Sequence, residues 1–225
     1  MRLIIKENSE LDRALCDHLK DDFNNGISEI FIPAGGTPIG FYSELARRKG
    51  APWDELRFFQ VDDILNGEKR GEFTQFLKEH LCERFKQVIT VEQDILPEGP
   101  FSSFLGLGVN GHVAFHEPHL PHEFIKGCVE LGPRTLKYLN LPSGTWGLTF
   151  GLGMFLKSEK IYLMVKGEHK LDILKRFLND DESVPAVALK AHPGLHLMVD
   201  QETWDLLEKD TNDTKIENKK NLEAC

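Results

Sequence analysis

Short, nearly continuous apolar runs alternate along the chain with longer stretches in which apolar positions recur every three or four residues. The short runs are "RLIIK" from Arg2, "SEIFIP" from Ser28, "LRFFQVD" from Leu56, "FSSFLGLG" from Phe101, "KIYLMVKG" from Lys160, "AVALKA" from Ala186 and "LHLMVD" from Leu195. Their length and bounding turn residues predict buried strands. Between them, "ELDRALCDHLKDDF" puts Leu11, Leu15, Leu19 and Phe23 on one helical face. "TPIGFYSELARRKG" predicts a helix with Thr37 as N-cap, Pro38 in its first position and Gly50 just past its end. "FTQFLKEHLCERFKQV", "GEHKLDILKRFLNDD" and "QETWDLLEK" predict three more helices.

Strands alternating with helices imply an α/β fold: one Rossmann-like domain with a mostly parallel sheet covered on both faces by helices. The domain is expected over residues 1–208. The polar tail over 209–225, "KDTNDTKIENKKNLEAC", is expected to be disordered. The composition, 40% apolar in 225 residues, is enough for a core. The formal net charge of −9 argues against nucleic acid or an anionic membrane surface as partner, while leaving room for a small anionic ligand in a local pocket. Cys16, Cys82, Cys128 and Cys225 are scattered, so neither a disulfide framework nor a zinc site is expected. "MRLIIKENSELDR" has no apolar signal segment, and no stretch approaches the ~20 apolar residues of a membrane span. A reduced, soluble, cytoplasmic protein is the expectation. A homo-oligomer is left open.

In sheets of this class, ligands sit beyond the carboxyl ends of the strands. Three strand-end loops carry candidate chemistry. In "PAGGTP", Gly35 and Gly36 permit close backbone approach, and the amides of Gly36 and Thr37 face outward at a helix start, where the dipole favours an anion. The same residues equally describe a tight turn with a cap. In "QVDDILNG", Asp62 and Asp63 end a strand and point to opposite sides, so only one can face a given pocket. That one is either a solvated turn carboxylate or a general base with a pKa raised by burial.

The third loop, "LGLGVNGHVAFHEPH", contains Gly106, Gly108 and Gly111 in a G-x-G-x-x-G spacing, with Glu130 nineteen positions on. The dinucleotide fingerprint needs a long helix after the third glycine, and Pro118 and Pro121 leave room for only about one and a half turns. Glu130 also lacks an evident strand before it. The nucleotide reading is therefore rejected. What remains is Asn110, His112 and Glu117: an imidazole beside an amide and a carboxylate, either acid–base equipment or a histidine capping a turn.

Together, "PAGGTPIGFYSELA", "VDDILNG", "LGLGVNGHVAFHEP" and "GLTFGLGMFLKSEKIYLMVKGEHK" resemble, in order, the glucosamine-6-phosphate deaminase family. The related 6-phosphogluconolactonases share the fold and a looser version of these motifs. "GHVAFHEP" looks like the deaminase pattern G-H-I-A-F-N-E-P rather than the lactonase G-H-T-A-S-L-F-P. The resemblance spans residues 1–208. It implies aldose–ketose isomerisation and deamination of glucosamine 6-phosphate to fructose 6-phosphate and ammonia, without metal or cofactor. It implies roles as well: Asp62 shuttles a proton between C2 and C1; His112, held by Glu117 and Asn110, opens the sugar ring; Gly35, Gly36, Thr37 and Lys170 hold the phosphate.

Departures from the family pattern are local. Asp63-Ile64 replaces E-Y, His116 replaces an asparagine, and most of a helix is missing between "EQDILPEG" and "FSSFLG". In "PRTLKYL", Arg134 matches the family's first arginine. Leu139 stands in place of the second, a phosphate ligand, with Lys137 as a nearby substitute. The alternatives carried by the same loops are lactone hydrolysis, with His112 activating water, and a sugar-phosphate sensor without turnover.

Overall fold

The computed structural model describes residues 1–211. The strands are β1 (Arg2–Lys6), β2 (Glu29–Ile32), β3 (Arg57–Gln60), β4 (Asp62–Ile64), β5 (Val88–Ile89), β6 (Phe101–Gly106), β7 (Lys126–Glu130), β8 (Trp146–Phe150), β9 (Lys160–Val165) and β10 (Leu195–Asp200). Seven of them form one sheet in the order β1-β10-β9-β6-β2-β3-β5, and every pairing in it is parallel. β4, β8 and β7 form a small antiparallel sheet.

The apolar runs are continuous because both faces of the large sheet are buried. Alternate residues feed two cores. Phe31, Phe59, Leu105, Leu163 and Leu197 point to one face. Ile30, Ile32, Phe58, Phe104, Met164 and Met198 point to the other. The second face is covered by α1 (Asn8–Asn24), α2 (Ile39–Arg47) and α3 (Glu72–Leu81), through Leu11, Leu15, Leu19, Phe41, Tyr42, Leu45, Leu77 and Leu81. The first face is covered by α5 (Leu152–Phe155), α6 (Leu171–Leu178) and the last helix, α7 (201–211). A short helix, α4 (Pro133–Leu139), belongs to the small-sheet end of the molecule, where Ile64, Phe115, Val129 and Leu131 make a third cluster that Leu136 and Leu139 join. The fold expected from the alternation is thus present. No helix among the described residues is long and apolar enough to cross a membrane.

Several elements differ from the sequence reading. "AVALKA" is not a strand; Pro185–Ala191 is a 3₁₀ helix. Pro185 cannot donate to a sheet ladder, and Ala186 and Leu189, three apart, bury on one side of the helix. "LRFFQVD" divides after Gln60, and Asp62–Ile64 crosses to the small sheet to pair with β8. α3 ends at Leu81, where Cys82 takes φ 49°, and continues as the 3₁₀ helix Cys82–Gln87. α2 starts after Pro38 with no side-chain cap, so Thr37 is not its N-cap. It ends at Arg47, and Gly50 lies in the following turn at φ 73°. Glu130 does have a strand before it, β7, but that strand is antiparallel and outside the main sheet. The tail expected to be disordered begins inside α7, at residues 209–211; residues 212–225 lie outside the described residues.

One topological feature positions the site. From β2 the chain proceeds through α2 to β3, on one side of the sheet. From β6 it proceeds to β9, on the other side. β2 and β6 are neighbours, so the loops leaving their carboxyl ends diverge and open a crevice there.

Candidate active site

The loop after β2, Pro33 to Pro38, forms one wall of that crevice. Gly35 adopts φ 97°, a left-handed conformation that side chains disfavour, and this turns the chain sharply before α2. Because Thr37 is not consumed as a helix cap, its side chain packs beside Gly106 at the end of β6 and lines the cavity.

The cavity has a volume of about 130 Å³. Gly35, Gly36, Thr37, Asp62, Gly108, His112, Thr135, Tyr138, Leu139 and Lys170 line it. Six of the eight residues singled out from the sequence therefore meet in one place: Gly35, Gly36, Thr37, Asp62, His112 and Lys170. Through Gly36, Thr37 and Tyr138 the cavity shares walls with a more open chamber of about 610 Å³. The remaining two, Asn110 and Glu117, stand behind His112.

The two adjacent aspartates separate as the strand geometry requires. Asp63 turns away from the cavity. Its carboxylate accepts from the amides of Ile64, Phe73 and Thr74, from the Thr74 hydroxyl at 2.6 Å and from Gln60 Nε2. It anchors the first turn of α3. Asp62 faces the cavity, only 5% exposed, and nothing among the described residues hydrogen-bonds its carboxylate. Burial, with the neighbouring Asp63 charge adding to it, raises the Asp62 pKa well above the ordinary carboxylate value. Such a group is poised to exchange protons rather than to hold structure.

The loop after β6 makes no helix at all; Gly108 and Gly111 close a turn, with Gly108 N donating to His112 O at 2.8 Å. The imidazole lies over Gly108. A Cβ there would come within 1.9 Å of His112 Cδ2 and 2.2 Å of Nε2, so the ring occupies space that only glycine leaves free. Asn110 holds the loop rather than the ring: its Oδ1 accepts from the His112 amide at 3.2 Å, and its Nδ2 donates to Glu117 Oε2 at 3.2 Å. Glu117 is 1% exposed and also accepts from the Gly132 amide and, at 2.5 Å, from the Thr135 hydroxyl. Burial alone would push its carboxyl up. His112, Thr135 and Gly132 outweigh burial and hold it below its ordinary value, so Glu117 is ionised. The Glu117 Oε1 to His112 Nδ1 distance is 3.9 Å.

Lys170 is 5% exposed at the start of α6. Its Nζ donates to Leu107 O at 2.7 Å and lies 5.5 Å from the centre of the Tyr138 ring. It makes no ion pair with any described residue, and burial pushes its pKa down to about 8. A buried cation without an ion-pair partner among the described residues, in one cavity with Gly35, Gly36 and Thr37, suits an anionic group of a ligand. Leu139 lines the cavity where the sequence comparison placed an arginine. Lys137 is exposed and does not line it, so no substitute cation enters from α4.

Thr135 and Tyr138 escaped the sequence reading. They belong to α4, whose seven residues hold no polar periodicity that marks a site, and only the packing of α4 over the cavity brings them in. His116, in the most family-like stretch of the sequence, is fully buried behind the site. Its Nδ1 accepts from the Leu152 amide at 3.2 Å, and its Nε2 has no partner among the described residues.

The chain is 25% identical over 235 residues to a glucosamine-6-phosphate deaminase of Lactococcus lactis subsp. cremoris (strain SK11), an alignment that covers 92% of this chain and 99% of the relative. It is 26% identical over 201 residues to the glucosamine-6-phosphate deaminase of Bacillus cereus (strain B4264), covering 78% and 76%. Among solved structures, a monomeric glucosamine-6-phosphate deaminase superposes with a TM-score of 0.76 at 20% identity, over 92% of this chain and 100% of the other. The 6-phosphogluconolactonase of Thermotoga maritima superposes at 0.67 and 19%, over 89% and 99%. No family model matches the chain. In sequence it is similar to the deaminases, and in fold to solved structures of both a deaminase and a lactonase.

Proposed function

We propose that this chain is an aldose–ketose isomerase that deaminates glucosamine 6-phosphate to fructose 6-phosphate and ammonia. The observation that carries the reading is Asp62: a buried carboxylate with no hydrogen-bond partner among the described residues, in one cavity with an imidazole and with a lysine that makes no ion pair among them.

The phosphate rests on the amides of Gly35 to Thr37 and on Lys170. His112 takes the proton of the C1 hydroxyl and returns one to the ring oxygen; the C1–O5 bond breaks and the open-chain aldehyde forms. Asp62 removes the proton on C2, and the electron pair moves to a C1–C2 double bond as the aldehyde oxygen is protonated. The same carboxyl returns a proton to C1, leaving a C2 iminium. Water adds to C2, and ammonia leaves. The net change is addition of one water and loss of one ammonia. The C1 aldehyde takes up the electron pair when C2 loses its proton, and the C2 amine supplies the pair that allows C1 to be protonated. Ionised Glu117 stands behind His112 and stabilises the imidazolium that forms in the first step.

Lactone hydrolysis would need His112 and the phosphate contacts but gives Asp62 no role, and the burial of that carboxylate favours the isomerase. The test measures ammonia release from glucosamine 6-phosphate and from unphosphorylated glucosamine, beside hydrolysis of 6-phosphogluconolactone. Ammonia from the phosphorylated sugar alone is expected. Lactone hydrolysis without ammonia, or binding with neither product, would replace this reading by the lactonase or the sensor.

A further inference from the structure

We propose that Thr135 is a positioning residue for His112: its hydroxyl holds the imidazole in the tautomer with hydrogen on Nδ1 and leaves Nε2 as the base that faces the cavity. Glu117 cannot do this directly, since 3.9 Å between Oε1 and Nδ1 is beyond hydrogen-bond length. The Thr135 hydroxyl fills the gap. It lies 2.5 Å from Glu117 Oε1, 3.3 Å from His112 Nδ1 and 3.3 Å from Asn110 Nδ2.

Counting hydrogens gives the direction of each bond. A hydroxyl offers one hydrogen and two lone pairs. An ionised carboxylate only accepts, so the hydroxyl hydrogen goes to Glu117. The amide nitrogen of Asn110 only donates, so it takes one lone pair. The second lone pair meets Nδ1 of His112, which must then carry the hydrogen. A neutral imidazole protonated at Nδ1 is unprotonated at Nε2. That edge lies over Gly108, on the cavity wall. With Glu117 ionised, this is the neutral tautomer of His112 that satisfies all four groups; the other would set an unprotonated Nδ1 against a hydroxyl lone pair. The role is reached only through the fold: Thr135 is 18 residues from Glu117 and 23 from His112 in sequence.

Two measurements test this. The first is the ¹⁵N chemical shifts of His112 in the free protein, assigned with a His112→Gln variant, for the wild type, Thr135→Val and Thr135→Ser. The wild type and the serine variant should show hydrogen on Nδ1, and the valine variant should lose that preference. The second rests on the activity proposed above: Thr135→Val should lower kcat on glucosamine 6-phosphate by roughly 10²-fold, the low end of what a positioned base contributes, with KM little changed, and Thr135→Ser should restore most of it. A purely structural threonine would lower the melting temperature of the valine variant without moving the tautomer or the ratio of kcat to KM. Hydrogen on Nε2 in the wild type overturns the proposal, as does a valine variant that keeps both tautomer and kcat. Should the valine variant not fold, the wild-type and serine spectra decide. If the wild type releases no ammonia, the proposed activity fails, while the spectra still judge Thr135.

Discussion

Asp62→Asn is the substitution in which chemistry and stability should move in opposite directions. Asparagine keeps the shape and hydrogen-bonding capacity of the side chain but cannot accept a proton at neutral pH. Removal of a general base typically costs 10²–10⁴-fold. Wild-type protein in deuterated water should exchange the C2 or C1 hydrogen of glucosamine 6-phosphate, and the variant should lose that exchange while still binding the sugar phosphate. The stability effect has the other sign. In the folded chain, burial makes Asp62 hold its proton to a pH well above the ordinary value of 3.8. Above 3.8 the folded state therefore binds more protons than the unfolded one, and stability falls as pH rises until the raised folded pKa is passed. Each tenfold change in proton affinity is worth about 1.4 kcal/mol, and about 1 kcal/mol moves the melting temperature of a chain this size by about 2–4 °C. The asparagine variant should melt above the wild type at pH 7, by an amount that shrinks towards pH 4. Near wild-type exchange in the variant would refute Asp62 as the base. A melting difference independent of pH would refute its desolvation. Asp63 does not inherit the role in that event, because its carboxylate is saturated by donors at the start of α3.

Lys170→Met keeps the buried stem and removes the charge. A charge-assisted contact of about 1.5–3 kcal/mol corresponds to a rise in KM of roughly 10–150-fold, with kcat little affected because the lysine touches a non-reacting group; an unchanged KM in steady-state kinetics would remove Lys170 from the site. In the wild type, substrate binding should weaken above pH about 8, where the lysine loses its charge. His116→Asn should flatten the acid limb of the stability curve. Burial, with His122 adding, lowers the His116 pKa to about 4 from 6.5. The unfolded chain therefore takes a proton below about 6.5 that the folded one refuses, and up to about 3 kcal/mol is lost as pH falls from about 6.5 to about 4. Asparagine does not titrate there, and urea unfolding at pH 5 and pH 7 should give closer midpoints for the variant than for the wild type.

The sequence by itself determined most of the scaffold, because buried parallel strands must be continuously apolar and covering helices must repeat every three to four residues. Six of the strands expected from such runs and all five expected helices are present. "AVALKA" misled because its apolar content is that of a strand, while Pro185 and the three-residue spacing of Ala186 and Leu189 suit a 3₁₀ turn. β7 was illegible because a strand with an exposed side has no continuous apolar run, and it reads "KGCVE"; β4, "DDI", is buried but two of its three residues are aspartates. For the site, each loop could be located, but its alternatives could not be separated. Whether Asp62 or Asp63 faced the cavity depended on β4 leaving the main sheet and on α3 arriving to take the Asp63 carboxylate. That Asn110 holds the backbone of His112 and not its ring is a matter of loop geometry. Thr135 reaches His112 and Glu117 only because α4 packs across the cavity. Local periodicity reports which face of an element is buried; it carries no information about which side chains from distant elements meet, and that is set by packing alone.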